Sequence, residues 1–249
     1  MKIHIKYSIM KKSIFLLVLV AVSSGALFQS CNGNGAKKME SSEIAEAEVS
    51  PNSTINEKTE DPQQLTIKNM HDAYKGETTA HFKYAAYSKK AEEEGHPEIA
   101  LLFKAASGAE LIHANNHKVV LKRMGESIPE ITPEFTVMTT AENLKEAIEG
   151  ESYEFNTMYP NFIKDANAAG NYMAQISLTY AYKVEQKHRD FYIEALKALE
   201  TGTDNTLATI YYLCPTCGNT YATVAPARCE ISMTDSKLFI KVTSSTPNS

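Results

Sequence analysis

The two halves of this chain repeat one spacing of glutamate and histidine. Each half has a Glu-x-x-His pair, and in each half a glutamate that follows a glycine lies 33 or 34 residues before the pair. These residues are Glu77, Glu110 and His113 in the first half and Glu151, Glu185 and His188 in the second. Side chains three residues apart lie on one face of an α-helix. The repeat therefore constrains the fold to one in which four segments bring these side chains together.

Helical periodicity dominates residues 65–200. Apolar residues recur at spacings of three and four, as in Ile99, Leu102, Phe103 and Ala106. The pattern predicts helices at 65–94, 97–125, 142–168 and 171–200. Short turns with glycine or proline join the helices within each pair, whereas the longer segment 126–141 joins the two pairs. This order predicts a mainly α fold, a ferritin-like four-helix bundle with one long crossover, at residues 65–202.

The repeated residues match the ligand pattern of a two-metal carboxylate site in such a bundle. Glu154 lies three residues after Glu151 and adds a fifth carboxylate to the set. Oxygen and imidazole ligands suit iron or manganese. Without metal, buried carboxylates would cost several kcal/mol for each uncompensated charge, whereas two ferrous ions would nearly neutralise them. We therefore predict two non-haem iron ions in the bundle.

The N-terminal residues have the composition of a leader. Ile14 to Val22 is an apolar run, too short to span a bilayer, that follows Lys11 and Lys12 and precedes Cys31. Residues 1–30 are predicted to be a lipoprotein signal peptide, with translation from Met1 or Met10 and lipidation of Cys31. A plain secretory peptide with an incidental cysteine is the alternative. Residues 31–64 are polar and are predicted to be a disordered tether.

Composition and charge limit the partners. The leader predicts a lipid-anchored protein of the bacterial cell envelope, outside the cytoplasm, which contacts the membrane through its lipid alone. The net charge of -5 and the lack of a basic stripe on any predicted helix give no electrostatic case for nucleic acid.

Four segments of the chain together resemble the rubrerythrin family. They are Gly76 to Tyr84, the pair Glu110/His113, Asn143 to Pro160 and the pair Glu185/His188. The resemblance covers about residues 65–242. It implies that Glu110 and Glu185 bridge the two iron ions and that Glu77 is terminal on the first. It also implies that Glu151 and His188 are terminal on the second, and that His113 and Glu154 exchange as ligands of the first.

Two tyrosines fit beside these ligands. Tyr84 follows Glu77 by seven residues, and Tyr159 follows Glu151 by eight. The resemblance makes both of them hydrogen-bond donors to ligand carboxylates, and the alternative is that each is a core aromatic with a satisfied hydroxyl. Four other tyrosines fall at helical spacings and are expected to pack: Tyr172, Tyr180, Tyr182 and Tyr192. Four histidines outside the repeat are expected at the surface or at helix ends: His71, His81, His96 and His117.

Residues 203–249 resemble the small rubredoxin-like domain of the same family. Cys214 and Cys217 form a Cys-Pro-x-Cys-Gly knuckle, and Cys229 begins a second one whose last position holds Ser232. The rubredoxin-like site needs four thiolates, and a serine hydroxyl is a poor substitute. Three outcomes are open: iron bound by three cysteines and Ser232, a structural zinc, or no metal and oxidisable cysteines. No βαβ pattern surrounds the knuckle, which argues against a thioredoxin-like motif.

The resemblance implies a peroxidase that reduces hydrogen peroxide to water in oxidative-stress defence, with electrons from an unidentified donor arriving through the C-terminal iron, often from the partner subunit of a homodimer. Two rival hypotheses remain. The missing fourth cysteine favours a slow or non-catalytic iron-binding or redox-sensing envelope lipoprotein. The second rival hypothesis is a structural helical lipoprotein without metal.

Overall fold

A computed structural model describes residues 61–245 and, as backbone alone, residues 4–7. The predicted lipidation site Cys31, most of the predicted leader and nearly all of the predicted tether lie outside the described residues. The helices and the C-terminal strands fall into one compact unit. Among residues 61–245, no helix combines the length and the apolarity that crossing a membrane requires.

Four long helical rods form the bundle, and their number and order confirm the prediction from sequence. The first, second and fourth rods are each one helix, and the third is two helices joined by a turn of π-helix. The helices are α1 (Pro62–Glu93), α2 (Pro97–Arg123), α3 (Thr140–Tyr153), α4 (Tyr159–Ala168) and α5 (Tyr172–Thr201), with the π-helical turn at Glu154–Met158.

Local sequence sets the helix ends. Pro62 and Pro97 occupy the first turns of α1 and α2, where a missing N–H costs nothing. A capping box of Thr139 and Glu142 begins α3, two residues before the predicted start. Gly202 ends α5 in the left-handed conformation, at φ 67.

The long crossover contains a strand that the sequence did not predict. Strand β2 (Glu134–Val137) pairs in parallel with β1 (His4–Tyr7), with His4 opposite Glu134. Strand β1 falls within the stretch predicted to be a leader, so translation from Met10, or removal of the leader, would leave β2 without this partner.

The C-terminal residues form a small antiparallel sheet. Its strands are β3 (Tyr211–Leu213), β4 (Thr220–Ala222) and β5 (Ile240–Val242), in the order β4-β3-β5, and 3-10 turns lie at Asp204–Thr206 and Ser236–Leu238. Tyr211 is opposite Ala222 on one side and Val242 on the other. Tyr211 and Leu213 are buried in the same apolar cluster as Phe103 of α2, so this sheet is packed onto the bundle.

Candidate metal centre

The predicted metal ligands of the repeat form a polar layer between two apolar clusters of the bundle. One cluster contains Ile99, Leu102, Phe103 and Tyr192, and the other contains Met70, Leu121, Tyr159 and Leu178. On every rod the repeated glutamate lies between residues of the two clusters, as Glu77 does between Ala73 and Ala80. The repeat in the sequence thus becomes a single buried layer. Six side chains in it are at most 2% exposed: Glu77, Glu110, His113, Glu151, Glu185 and His188.

Glu110 and Glu185 each face both histidines. His113 Nδ1 lies 2.8 Å from Glu110 Oε2 and 3.1 Å from Glu185 Oε1. His188 Nδ1 lies 3.0 Å from Glu110 Oε1 and 3.3 Å from Glu185 Oε2. Each carboxylate therefore presents one oxygen to each histidine, which is the arrangement that two bridging carboxylates between two metal ions require.

The donor atoms form two groups that share these carboxylates. One group is Glu77, Glu110, His113 and Glu185, the other is Glu110, Glu151, Glu185 and His188, and within each group the ligand atoms lie within 4.8 Å of one another. Several of these atoms are buried without a hydrogen-bond partner, namely one or both oxygens of Glu77, Glu110, Glu151 and Glu185, and His188 Nδ1. Buried polar atoms are rarely left unpaired, and here they converge on two points. The residues therefore fit two metal ions.

The negative charge of the carboxylates in the layer also favours the binding of cations. Burial, followed by the negative charge of Glu185, raises the pKa of Glu77 to about 8. Burial and the charges of Glu185 and Glu110 raise the pKa of Glu151 well above its ordinary value. Protons therefore occupy part of the layer when no metal does, and bound divalent ions would displace them.

Glu154 stands apart from the two groups. It begins the π-helical turn, it is partly exposed, and it belongs to neither set of converging ligand atoms. His113 occupies the first group in this structure, so the predicted exchange between His113 and Glu154 stays a prediction. The residue as a whole is partly exposed, but its carboxyl group is removed from water, and this burial, followed by the charge of Glu77, raises the pKa of Glu154 well above its ordinary value. The carboxyl group is therefore close enough to the layer to be affected by its charge.

Tyr84 and Tyr159 connect the two halves reciprocally. The Tyr84 hydroxyl on α1 donates to Glu151 Oε1 at 2.6 Å, and the Tyr159 hydroxyl on α4 donates to Glu77 Oε1. Each tyrosine therefore holds the ligand of the other half.

The π-helical turn explains the unequal spacings of the two halves. The Tyr159 N–H bonds to the Glu154 carbonyl, five residues back, so the turn takes up one extra residue. The step of eight residues from Glu151 to Tyr159 thereby matches the step of seven from Glu77 to Tyr84. The same extra residue accounts for the intervals of 34 and 33 residues between the glutamates.

Two of the four histidines that were predicted to lie at the surface or at helix ends are buried instead, which corrects the prediction for them. His81 is 4% exposed and its Nδ1 lies 2.8 Å from the Ser107 carbonyl oxygen, so the carbonyl accepts a bond from the ring. His117 is fully buried between Ser177 and Tyr159. Burial, with a smaller effect of the His113 charge, lowers the pKa of His117 to about 3, so this ring is uncharged at neutral pH. Neither histidine belongs to the repeat, and only their helical spacing from buried neighbours could have revealed their burial.

The knuckle of the C-terminal domain covers both ligand histidines of the same chain. His113 Nε2 donates to the Cys217 carbonyl oxygen at 3.1 Å, and His188 Nε2 lies 2.9 Å from Thr220 Oγ1. Asn116 and Lys187 add bonds on either side, to the Thr216 carbonyl and to Asn219 Oδ1, both at 2.9 Å. The outer nitrogen of each histidine is thus held by the C-terminal domain, which fixes Nδ1 as the atom that faces the metal layer.

The C-terminal cysteines form a second candidate site. Cys214, Cys217 and Cys229 are free, buried and close enough to hold one ion. Cys217 Sγ lies 3.5 Å from Cys229 Sγ, and Ser232 Oγ lies 3.1 Å from Cys214 Sγ, so the serine oxygen stands beside the three sulfurs. The hydrogen bond between Cys217 and Cys214 lowers the pKa of Cys214 to about 4 and raises the pKa of Cys217 well above its ordinary value, so the site favours a thiolate at Cys214 before a metal binds. Three thiols and one hydroxyl therefore fit a metal, with the hydroxyl as the weak fourth donor.

Comparisons with known proteins identify the family to which the chain belongs. The family model described as rubrerythrin matches residues 68–196. The chain is similar to nigerythrin of Nitratidesulfovibrio vulgaris, with 35% identity over 61% of this chain and 74% of that protein. It is also similar to rubrerythrin-2 of Clostridium acetobutylicum, with 32% identity over 63% of this chain and 85% of that protein.

Solved structures give the same result. Nigerythrin in its fully reduced, all-ferrous state superposes with a TM-score of 0.64 at 32% identity, over 71% of this chain and 86% of that chain. A bacterioferritin from Desulfovibrio desulfuricans superposes with a TM-score of 0.54 at 18% identity, over 58% of this chain and 85% of that chain, which supports the ferritin-like fold alone. With a buried site for two non-haem iron ions in a ferritin-like bundle, the chain belongs to the rubrerythrin family of diiron oxidoreductases, whose function is of the peroxidase type.

Proposed function

We propose that this chain reduces hydrogen peroxide to water at the bundle site. The observation that carries the proposal is the set of unpartnered, converging ligand atoms around Glu110 and Glu185. Bound iron would supply two electrons, one from each ferrous ion, and with two protons these convert one hydrogen peroxide into two water molecules. The chain's own residues orient the ligands through Tyr84 and Tyr159 and exclude bulk water by burial.

The test compares peroxide consumption by two glutamate variants of the same helix. Purified protein is loaded with iron, reduced without oxygen and mixed with hydrogen peroxide. We expect rapid consumption by the wild type and by Glu98→Ala, which changes a glutamate in the first turn of α2. Glu110→Ala removes one of the two carboxylates that both ligand groups share and should reduce consumption to the background rate. Equal rates in the wild type and Glu110→Ala would refute the proposal.

A second candidate function rests on Ser232, whose oxygen lies beside the sulfurs where the rubredoxin-like pattern would place a fourth thiolate. A weak C-terminal site would slow the supply of electrons and leave an iron binder or redox sensor. Under this alternative, Ser232→Cys should raise the steady-state peroxidase rate and leave single-turnover oxidation of the bundle site unchanged. If neither rate changes, electrons reach the bundle by another route.

Metal content separates the two sites. A truncation at Gly202 would remove the hydrogen-bond partners of His113 and His188 together with the cysteines, so the full chain is the better material. We expect two metal ions per chain in a Cys214→Ala/Cys229→Ala variant and more than two in the wild type. Near-zero iron in the wild type, with the fold intact, would instead support a structural role.

We also propose that Cys31 carries a lipid that anchors the protein in the cell envelope, supported by the apolar run and the cysteine that follows it. Labelling cells with a fatty-acid analogue should mark the wild type and leave Cys31→Ser unlabelled. Label on neither protein, with both secreted, would support a plain secretory leader.

A homodimer is proposed from the family resemblance, and analytical sedimentation of the purified protein measures its oligomeric state. The contact from His113 to Cys217 lies within one chain and does not require a partner.

A further inference from the structure

A chain of hydrogen bonds leads from the metal layer to the surface through His117. The Tyr159 hydroxyl donates to Glu77 Oε1. His117 Nε2 lies 3.2 Å from the Tyr159 oxygen, and His117 Nδ1 lies 2.8 Å from Ser177 Oγ. Two side chains, Tyr159 of α4 and His117 of α2, thus connect the Glu77 carboxylate to Ser177 of α5.

All three hydrogen bonds of this series run in the same direction, from Ser177 towards Glu77. Tyr159 has one hydroxyl proton and gives it to Glu77, so the bond between Tyr159 and His117 must use the proton on Nε2. An uncharged imidazole with a proton on Nε2 has a bare Nδ1, which accepts. Ser177 is therefore the donor to His117. The order is Ser177 to His117 to Tyr159 to Glu77.

The outer end of the chain reaches a surface groove between α2 and α5. The groove has a volume of about 240 Å3 and is lined by Asn116, Val119, Met173, Ile176 and Ser177. Val119 is 53% exposed and Ile176 is 54% exposed, so the groove is open to water. Ser177 itself is 5% exposed and stands between this groove and His117.

The other half of the bundle lacks such a route. Tyr192 follows Glu185 by seven residues, as His117 follows Glu110, and Leu102 precedes Glu110 by eight, as Ser177 precedes Glu185. Tyr192 is fully buried, with ring centroids 5.5 Å from Tyr84 and 5.2 Å from Phe103. Leu102 is buried in the same apolar cluster. The series of polar side chains is therefore present in one half of the repeat and replaced by packed side chains in the other. Packing of the bundle alone does not require this difference.

We infer that Ser177, His117 and Tyr159 form a relay that delivers protons from the α2–α5 groove to Glu77 at the metal centre. The inference rests on the proposed peroxidase function, which consumes two protons for each hydrogen peroxide. In one transfer, Ser177 takes a proton from a water molecule in the groove, which leaves as hydroxide, and gives its own proton to His117 Nδ1. His117 Nε2 then gives its proton to Tyr159, whose proton passes to Glu77 Oε1. The hydroxyl groups then rotate back. Rotation of the ring does not interchange Nδ1 and Nε2, so before the next transfer the imidazole must return to the tautomer with its proton on Nε2 by exchange of its ring protons with water.

The kinetic test uses a variant that keeps hydrogen bonds but cannot relay. Glutamine at 117 offers an NH2 group that donates and a carbonyl oxygen that accepts, yet its amide does not pass a proton from one end to the other. His117→Gln should slow single-turnover oxidation of the diferrous protein by peroxide by about 10²-fold, the usual size of a proton-transfer contribution. Its solvent deuterium isotope effect should rise above that of the wild type, because proton delivery becomes rate-limiting, and its iron content should stay the same.

His81→Gln is the matched control, because His81 is a buried histidine bonded to Ser107 outside the relay. It should keep the wild-type rate and isotope effect. Oxidation of His117→Gln at the wild-type rate and isotope effect would overturn the relay while the peroxidase function stands. A wild type that does not react with peroxide would instead refute the peroxidase function.

A measurement that does not depend on turnover tests the direction of the hydrogen bonds through His117. In zinc-loaded wild-type protein, which is diamagnetic, long-range proton–nitrogen NMR assigns the tautomer of each histidine. We expect an uncharged His117 with its proton on Nε2. A proton on Nδ1 would overturn the relay even if every variant failed to fold, because Tyr159 would then donate to His117 and not to Glu77.

Discussion

His113 and Cys217 are joined by a hydrogen bond of 3.1 Å from the imidazole Nε2 to the backbone carbonyl oxygen. One residue belongs to the bundle site and the other to the candidate cysteine site. Gly218 follows Cys217 at φ +78, and a Cβ atom there would meet the His113 ring and the Ala109 carbonyl oxygen. The absence of a side chain at 218 therefore lets the knuckle approach the metal layer.

Gly218→Ala should push the knuckle away from the bundle. The substitution adds the strain of a left-handed residue, roughly 1–2 kcal/mol, and the collision with His113 in addition. Gly95→Ala is the matched control, because Gly95 has φ +87 and nothing within 4 Å of the new Cβ. We expect a larger loss of unfolding free energy in Gly218→Ala than in Gly95→Ala, and faster proteolysis of the segment after Gly202. Equal losses would mean that the knuckle does not rest on His113.

Tyr84→Phe should weaken metal binding at the bundle site. The hydroxyl donates to Glu151 Oε1 at 2.6 Å and so orients a ligand. Loss of such a bond typically lowers metal affinity about 10- to 100-fold. Tyr87→Phe provides the comparison, since its buried hydroxyl donates at 3.1 Å to the Thr136 carbonyl and not to a ligand. Competition with a chelator measures both affinities. Parallel behaviour of the two variants would assign Tyr84 to packing alone.

Periodicity and the repeat were sufficient to predict the four rods and the buried ligand layer. Ile99, Leu102, Phe103 and Ala106 are all buried as their spacing predicts, because a helix with that stripe must cover it. The helix boundaries differ by a few residues, as at Thr139, where the cap and not the apolar pattern decides the start.

Other features depend on contacts between distant segments. The π-helical turn left a trace in the sequence, one extra residue between Glu151 and Tyr159, but that count alone does not say where a helix takes up the residue. The burial of His117 depends on Ser177 and Tyr159, which lie 60 and 42 residues away. The position of the knuckle on His113 depends on a contact across 104 residues. The periodicity of the sequence carries no information on which distant residues contact each other.

Ser232→Cys should complete the C-terminal site. Ser232 Oγ lies 3.1 Å from Cys214 Sγ, so a sulfur at this position would stand beside the other three. A fourth thiolate binds zinc or iron more tightly than a hydroxyl does. We expect Ser232→Cys to keep its C-terminal metal through a chelator challenge that removes it from the wild type. Ser236→Cys, in the nearby 3-10 turn, should behave like the wild type. If Ser232→Cys loses its metal as readily as the wild type, residue 232 is not a ligand.

The metal-free protein should lose stability as pH rises because of Glu77. Its pKa is about 8 in the folded protein, against an ordinary value of 4.5, with burial as the main cause and the charge of Glu185 next. Between these values the folded protein holds a proton that the unfolded chain has released, so unfolding free energy falls with rising pH. The slope approaches about 1.4 kcal/mol per pH unit.

Glu77→Gln isolates this effect, because an amide does not titrate. With chelator present, the unfolding free energy of the wild type should fall relative to that of Glu77→Gln from pH 5 to pH 8, while Glu98→Gln follows the wild type. Denaturant titrations at several pH values measure the difference. A wild type that gains stability relative to Glu77→Gln over this range would contradict the expectation. With metal bound, the wild type should have the higher unfolding free energy of the two proteins. The ionised carboxylate, which destabilises the empty layer, then binds a cation.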